Sequence, residues 1–211
     1  SVALVAAASS ALGHTLKKEE ITNLAMVSEK IIHGNPSGID PAIAAHGGVI
    51  MFKKGFSQRP IILKTPLDFI VCFSGSGQST SKMIRKFSQA KYSSPSTFKA
   101  LIDSSSTLVE IAASALATGD IKLLASILNF NHTVLSSLGV SSNSLNKLVE
   151  STLKAGCLGA KMTGGGGGGC IIALPGSGET NNILGKISKN VIEAWSVKIP
   201  KNGVSVKRDK K

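Results

Sequence analysis

The chain contains 211 residues, of which 42% are hydrophobic and 17% charged; this composition excludes disorder and suffices for one domain or two small ones. The net charge is +12, but six basic residues and one acidic residue fall between positions 198 and 211. The other basic residues are scattered, without aromatic residues between them that could stack on bases. We therefore expect no nucleic-acid partner. Three widely separated cysteines indicate reduced thiols and a cytoplasmic location, and no stretch approaches the roughly 18 apolar residues of a membrane span, so we expect no membrane partner.

The first part of the chain is predicted to form three helices interrupted by a tight turn. An Ala-rich segment at 2–12 predicts a buried helix, and Thr15 is placed to cap a second helix whose apolar residues keep helical spacing. The segment 34–38 contains two glycines and a proline, which must break this second helix. Asp40 followed by Pro41 predicts the start of a third helix, with Asp40 as its N-cap.

The remainder of the chain mixes strands and helices, which predicts an α+β fold. The best candidate for a domain boundary is the stretch 64–66, between a pair of short strands and a new strand–helix unit; it gives domains of residues 1–66 and 67–211. We predict strands at 49–52, 61–63, 69–73, 170–174, 195–199 and 203–206, and helices at 79–90, 95–118, 121–138, 144–155 and 181–194.

Glu29 and Asp40 lie on either side of the turn, which can fold the two carboxylates toward one space. An aspartate at a helix N-terminus is held in its ionised form by the helix dipole and by backbone N–H groups, so it is available to accept a hydroxyl proton. A glutamate on the facing helix suits Mg²⁺, which takes a few carboxylate oxygens and keeps its phosphates and waters. By pattern alone, the alternatives are an ordinary helix cap for Asp40 and a solvated surface residue for Glu29.

Six consecutive glycines, Gly164–Gly169, stand between Lys161-Met162-Thr163 and the apolar segment Cys170–Leu174. Glycine adopts positive φ and lets backbone N–H groups approach an anion. The run is predicted to connect a helix and a strand inside one structural unit, which favours a phosphate- or substrate-proximal loop over a flexible linker, although it matches neither a Walker A motif nor a Rossmann fingerprint. The Gly/Ser-rich segment ending at Thr80 has a weaker claim to such a role, and His33 is interpreted as a structural or site-wall histidine.

Two of these segments resemble a known enzyme family. The sequence from Glu29 to Asp40, E-K-I-I-H-G-N-P-S-G-I-D, closely resembles a segment of mevalonate kinases, and the Lys161–Cys170 segment resembles their third motif. These kinases belong to the superfamily of galactokinase, homoserine kinase, mevalonate kinase and phosphomevalonate kinase. The resemblance implies a two-lobe α+β small-molecule kinase fold, in which residues 1–66 are the remnant of an N-terminal lobe similar to ribosomal protein S5 domain 2 and residues 67–211 form a ferredoxin-like C-terminal lobe.

The resemblance also implies an activity: the ATP- and Mg²⁺-dependent phosphorylation of the C5 hydroxyl of mevalonate in isoprenoid and sterol precursor biosynthesis. It implies that Asp40 is the catalytic proton acceptor and Glu29 the Mg²⁺ ligand, with ATP as co-substrate. The residues that it implies lie near substrate or phosphate are His33, Gly34, Asn35, Ser37, Gly38, Thr80, Gly164, Gly165, Gly166, Gly167 and Gly168.

The sequence departs from the family pattern at its start. The family's second motif, a glycine-rich loop for the ATP phosphates, and its first motif with a catalytic-site lysine are expected before residue 1. We therefore expect a C-terminal fragment that retains the base but binds ATP poorly and is inactive alone. Two alternatives are a non-catalytic remnant acting as a binding or assembly module and a sister kinase for another small alcohol. Mevalonate and ATP are the expected partners, and a homodimer is left open.

Overall fold

The computed structural model describes residues 1–34, 36–55, 58–75, 80–187 and 191–207, without the side chains of residues 33, 80–82 and 84. The chain divides into two compact units. Unit 1 contains Ser1–Leu63 together with the described residues from Ile199 onward, and unit 2 contains Lys64–Lys198. The division after Leu63 lies three residues from the boundary expected from the sequence, and the identification of the units with two kinase lobes stays a prediction.

Unit 1 consists of three helices and a small hairpin. Its core contains three alanines, of which Ala25 and Ala45 are fully buried, and such small residues let the helix backbones approach closely. The elements are α1 Val2–Ala11, α2 Lys18–His33, α3 Ile39–His46, β1 Val49–Met51 and β2 Arg59–Ile61, with β1 and β2 antiparallel.

The second helix begins at Lys18 and not at Thr15, so the predicted cap was wrong. The carboxylate of Glu20 accepts a hydrogen bond of 2.7 Å from the backbone N–H of Lys17, the residue before the helix. This bond satisfies a backbone donor that the first turn would otherwise leave without a partner, and the acidic side chain also favours the positive end of the helix dipole. The helix ends at Gly34, which has φ of 69° and donates its N–H to the carbonyl of Lys30 at 2.9 Å.

The C-terminal segment packs with unit 1, whereas the sequence placed it in the second domain. Gly48 donates its N–H to the carbonyl of Pro200 at 2.7 Å, and Val204 donates its N–H to the carbonyl of Ala44 at 2.9 Å. A Cβ atom built on Gly203 would lie 2.3 Å from the carbonyl oxygen of Ala45, so glycine is required for this close approach. The segment runs beside α3 without forming the strand predicted at 203–206.

Unit 2 is a four-stranded antiparallel sheet with five helices. The elements are β3 Asp68–Phe73, α4 Thr80–Ser93, α5 Pro95–Thr118, α6 Ile121–Ser137, α7 Asn143–Lys154, β4 Gly159–Met162, β5 Cys170–Leu174, α8 Thr180–Ile187 and β6 Glu193–Lys198. The strand order β4-β5-β3-β6 is that of a ferredoxin-like fold, as predicted, with four helices in the connection from β3 to β4 and one helix between β5 and β6.

The core of unit 2 lies on one face of this sheet. Register places Ala160 opposite Ala173, which is in turn opposite Ile70, and all three are fully buried. The same face contacts helices α6, α7 and α8, while Trp195 on the other face keeps 41% of its surface exposed. Two sequence predictions fail here: the last helix ends at Ile187, not at 194, and the glycine run follows strand β4, not a helix.

Helix α5 meets the length and composition of a membrane span, alone among the described helices, although no such stretch was expected from the sequence. Only 11% of the most apolar stretch of 18 residues in this helix is buried. The helix carries Asp103 and Glu110, and its Ser105 hydroxyl accepts a hydrogen bond of 3.2 Å from Asn131 of α6. Because length and composition do not distinguish a membrane span from a helix of a water-soluble domain, this finding assigns no membrane role.

Candidate functional site

The turn between α2 and α3 is set by Gly38. This residue has φ of 90°, a left-handed conformation that favours glycine, and a Cβ atom there would lie 3.3 Å from the sulfur of Met26 on α2. The start of α3 therefore packs against α2 about one turn before Glu29. The Ser37 hydroxyl accepts a hydrogen bond of 3.4 Å from the N–H of Ile39, which supports the turn.

Asp40 is the second residue of α3, exposed and in the first turn. The N-cap is Gly38, so the prediction that Asp40 itself caps the helix was wrong; the left-handed glycine moves the helix start back by two residues. In the first turn, the carboxylate of Asp40 still lies near the positive end of the helix dipole.

Glu29 is partly exposed in the last part of α2, and its Oε1 accepts a hydrogen bond of 3.1 Å from the hydroxyl of Ser1. Ser1 stands immediately before α1, so two helices bring an acidic and a hydroxyl oxygen together. Both are hard oxygen donors of the kind that Mg²⁺ prefers. Within the described residues, no group of three or more His, Cys, Asp or Glu side chains forms a complete metal cage. One carboxylate suffices for Mg²⁺ when phosphate oxygens and water complete the coordination.

The structure describes only some of the other predicted site residues. His33 ends α2, but its side chain lies outside the description, as does the whole of Asn35. Gly34 forms the C-cap of α2. In unit 2, Thr80 begins α4, but its side chain and residues 76–79 also lie outside the described part of the chain.

The glycine run forms the connection of the β4–β5 hairpin. Positive φ angles occur at Gly164, Gly166, Gly167, Gly168 and Gly169, and Gly165 is not among them. At its end, the carbonyl of Gly169 accepts a hydrogen bond of 2.8 Å from the N–H of Ser74, which follows β3. The glycine run is thus the loop of a β-hairpin, joined by a backbone hydrogen bond to the residue after β3, and does not link two separate units.

Two parts of this loop face different surroundings. Gly167 is buried and donates its N–H to the carbonyl of Val140 at 2.8 Å, while a Cβ atom on Gly166 would lie 2.1 Å from that same oxygen. Gly164 and Gly165 are exposed, and a Cβ atom on Gly164 would meet nothing within 4 Å. Packing against Val140 explains glycine at 166, whereas the exposed start of the loop has room for a ligand.

Two side chains of α6 near this loop were not recognised from the sequence as site residues. Asn129 and His132 accept hydrogen bonds from the backbone N–H groups of Ala160 and Met162 on β4. Burial lowers the pKa of His132, a hydrogen bond with Asn146 opposes this, and the positive charge of Lys161 lowers it further. Asn129 and His132 are three residues apart on an apolar helix, and this spacing predicts that both side chains lie on one face of it.

A shallow cleft of about 360 Å³ opens elsewhere in unit 2, between the end of β3, helix α7 and the residues before β6. It contains none of the predicted site residues. Its lining consists of Phe73, Ser74, Ser144, Lys147, Leu148, Ser151, Val191 and Ile192.

Comparison with known proteins identifies the family. Residues 1–48 match the N-terminal domain of GHMP kinases, and residues 112–193 match the C-terminal domain. A mevalonate kinase of Thermococcus sibiricus is 38% identical over 180 residues, which cover 82% of this chain and 53% of that enzyme. A mevalonate kinase of Aeropyrum pernix is 31% identical over 194 residues, which cover 90% of this chain and 59% of the relative.

A solved structure gives the same result. The crystal structure of L. major mevalonate kinase in complex with R-mevalonate aligns with a TM-score of 0.83 and 29% identity, over 90% of this chain and 60% of that one. This chain therefore spans only somewhat more than half the length of the relatives that it matches. Because both domain families occur in their N-to-C order and the ferredoxin-like topology is present, the chain belongs to the GHMP kinase family.

Proposed function

We propose that this chain supplies the acceptor-activating and metal-binding part of a mevalonate kinase. The observation that carries the proposal is the turn at Gly38, which packs the first turn of α3 against α2 and so brings Asp40 and Glu29 onto neighbouring helices. The identities of 38% and 31% to mevalonate kinases favour mevalonate over other small alcohols as the acceptor.

In the proposed reaction, Asp40 accepts the proton of the C5 hydroxyl of mevalonate. The freed oxygen forms a bond to the γ-phosphorus of ATP as the bond to the β-phosphate oxygen breaks, and ADP leaves. Asp40 suits this role because its carboxylate is exposed in the first turn of α3, where a substrate hydroxyl can reach it. A general base of this kind contributes a rate factor of about 10²–10⁴.

Glu29 is the proposed protein ligand for Mg²⁺. Its Oε1 accepts a hydrogen bond from the Ser1 hydroxyl, and its side chain is partly exposed, so that a cation can approach it. When bound, Mg²⁺ neutralises charge on the phosphates during transfer. The donor set fits this ion, because hard oxygen atoms are present and the remaining positions are those that phosphates and water fill.

The exposed start of the glycine loop is the proposed contact for phosphate oxygens in unit 2. Gly164 and Gly165 carry no side chain that would obstruct a ligand, and a backbone N–H group without a neighbouring Cβ approaches an anion closely. We place His33, Asn35 and Thr80 near the substrates only on the family resemblance.

We further propose that the protein acts in the cytoplasm, in the synthesis of isoprenoid and sterol precursors. Its three cysteines are free thiols, which fits a reducing compartment. Sedimentation of the purified protein would distinguish a monomer from a homodimer.

A chimera tests the activity. This chain replaces the matching segment of the Thermococcus sibiricus enzyme, and ATP-dependent phosphorylation of mevalonate is followed by ADP release. We expect turnover with mevalonate and a loss of about 10²–10⁴ in kcat for Asp40→Asn. Asp103→Asn, which removes an exposed carboxylate paired with Lys99 on α5, serves as the control and should keep full activity.

Three outcomes would contradict the proposal. Wild-type turnover by Asp40→Asn would remove the assignment of the base. Turnover with phosphomevalonate or a sugar, but not with mevalonate, would identify a sister kinase, and a folded chimera without activity on any of them would favour a non-catalytic module.

A further inference from the structure

Strand β4 is an edge strand, and its free edge is closed by side chains. It pairs with β5 on one side only, so alternate residues direct their N–H groups away from the sheet. Ala160 and Met162 are two such residues. The N–H of Ala160 donates to Oδ1 of Asn129 at 2.9 Å, and the N–H of Met162 donates to Nδ1 of His132 at 3.3 Å.

Asn129 acts on this edge as a neighbouring strand would. Its Oδ1 accepts from Ala160, and its Nδ2 donates to the carbonyl of Leu158 at 3.1 Å. An amide side chain thus reproduces the donor and acceptor of one peptide group. Asn129 and His132 are three residues apart on α6, so one helix face presents both acceptors to β4.

The bond from Met162 determines which nitrogen of His132 carries the proton. Nδ1 must accept, so the neutral ring carries its hydrogen on Nε2, which lies 3.1 Å from Oδ1 of Asn146 and donates to it. The same oxygen accepts a hydrogen bond of 2.6 Å from the hydroxyl of Ser141. His132 is 8% exposed, so few water molecules are available to replace these partners.

This network reaches two points of the proposed phosphate loop, its entrance and its middle. Met162 is the last residue of β4, and the glycine run begins two residues later. Ser141, which binds Asn146, follows Val140, and the carbonyl of Val140 accepts the N–H of Gly167. The α6–α7 connection therefore holds the middle of the loop, while His132 holds its entrance.

We propose that His132 is a positioning residue for the glycine loop, and that the neutral imidazole, assisted by Asn129, fixes the point at which the loop leaves β4. The use of the loop for phosphate rests on the proposed function, but its anchoring does not. Protonation of His132 would place a second donor opposite the Met162 N–H, so acid would break the anchor.

The surroundings of His132 keep the ring neutral. Burial is the main cause of its lowered pKa, and the Asn146 acceptor on α7 partly opposes it. Lys161 on β4 is the charged group whose field acts on the ring, and it disfavours the imidazolium form as well. The anchor is therefore intact at neutral pH and opens only below the ordinary histidine pKa of about 6.5.

Amide exchange in the 211-residue chain tests the proposal. Hydrogen exchange and ¹H–¹⁵N spectra are recorded for wild type, His132→Gln, His132→Phe and the control His14→Gln, from neutral pH downward. In wild type we expect the Met162 amide to lose about tenfold protection on acidification, beyond the intrinsic change in exchange rate, with resonances of Gly164–Gly169 moving in the same step.

The variants separate positioning from packing. His132→Gln keeps a neutral acceptor, so protection should stay and its acid loss should vanish, whereas His132→Phe fills the space without an acceptor and should lose about tenfold protection at every pH. The control should behave as wild type, because His14 is exposed in unit 1. Acid-insensitive protection of Met162 in wild type would overturn the proposal, as would the same acid response in His132→Gln.

If His132→Phe does not fold, the comparison of wild type with His132→Gln still decides the matter. A chimera without kinase activity would remove the proposed function and leave these exchange results standing. If the chimera were active but the protection of the Met162 amide did not depend on His132, the anchoring proposal would be removed and the proposed function would stand.

Discussion

The carbonyl oxygen of Val140 occupies the space that a side chain on Gly166 would need. A Cβ atom there would lie 2.1 Å from this oxygen, and Gly167 donates its N–H to the same carbonyl. The glycine run therefore contains residues required by the packing of the chain itself as well as residues left open to a ligand.

Gly166→Ala should destabilise unit 2 far more than Gly164→Ala. Both residues have positive φ, which costs a non-glycine residue about 1–2 kcal/mol, but only Gly166 also meets backbone, which adds about 1–3 kcal/mol. Urea unfolding followed by the fluorescence of Trp195, the single tryptophan and part of β6, measures the difference. Equal losses for the two variants would show that the loop moves freely away from Val140.

Glu29→Gln should raise the Mg²⁺ concentration needed for half-maximal activity of the chimera by at least about tenfold, since it removes one anionic ligand. Ser1→Ala should have a smaller effect in the same direction, because it removes only the hydrogen bond of 3.1 Å that orients the carboxylate. Titration of activity with MgCl₂ at fixed ATP gives both values. An unchanged Mg²⁺ requirement in Glu29→Gln would reject this residue as the ligand.

The stability of unit 2 should fall in mild acid through His132. Its pKa in the folded protein is lowered by burial, so the unfolded chain binds the proton more readily. The contribution of neutral His132 to the free energy of unfolding is complete above the unfolded-state pKa of about 6.5. It is lost as the pH falls from there through the lowered folded-state pKa. Urea midpoints measured across this range should show a steeper acid loss for wild type than for His132→Gln. Parallel curves would contradict the expectation.

The helices were the part of the fold most accessible from sequence. The bounds predicted for the helix at 95–118 match α5, and those predicted for the strand at 170–174 match β5, because caps, helical spacing and an unbroken apolar run are local signals. Strand β4, with the sequence Gly-Ala-Lys-Met, has no such signal. It becomes a strand because β5 pairs with one edge and side chains of α6 close the other.

In the candidate site, too, features with a local sequence signal could be predicted, whereas features that depend on tertiary contacts could not. The motif around Glu29 and Asp40 was recognisable because the chemistry is concentrated in twelve consecutive residues. The exact start of α3 was not, because it depends on the left-handed Gly38 packing against Met26. His132 and Val140 are joined to the glycine loop by tertiary hydrogen bonds, for which sequence spacing provides no direct evidence.

Thiol reactivity should divide the three cysteines. Burial raises the pKa of Cys72 to about 12 and that of Cys157 to about 11, and both side chains are nearly inaccessible, so neither supplies thiolate at neutral pH. Cys170 is partly exposed, although burial raises its pKa too. With a disulfide reagent, one thiol should react in the folded chain and three in urea, and Cys170→Ser should abolish the reaction of the folded state. Fast modification of Cys72 would mean that unit 2 opens readily.

The apolar face of α2 formed by Leu24, Val27 and Ile31 should govern the solubility of this chain. These side chains are 50%, 57% and 80% exposed and follow helical spacing, so they form a continuous stripe that water does not favour. Leu24→Gln with Val27→Gln should reduce aggregation, seen by light scattering, without lowering the urea midpoint, because little buried area is lost. The matched change Ile21→Gln, at a 7% exposed core position of the same helix, should destabilise unit 1 instead. If the exposed pair destabilised the chain as strongly as Ile21→Gln, the stripe would have to be part of the folded core.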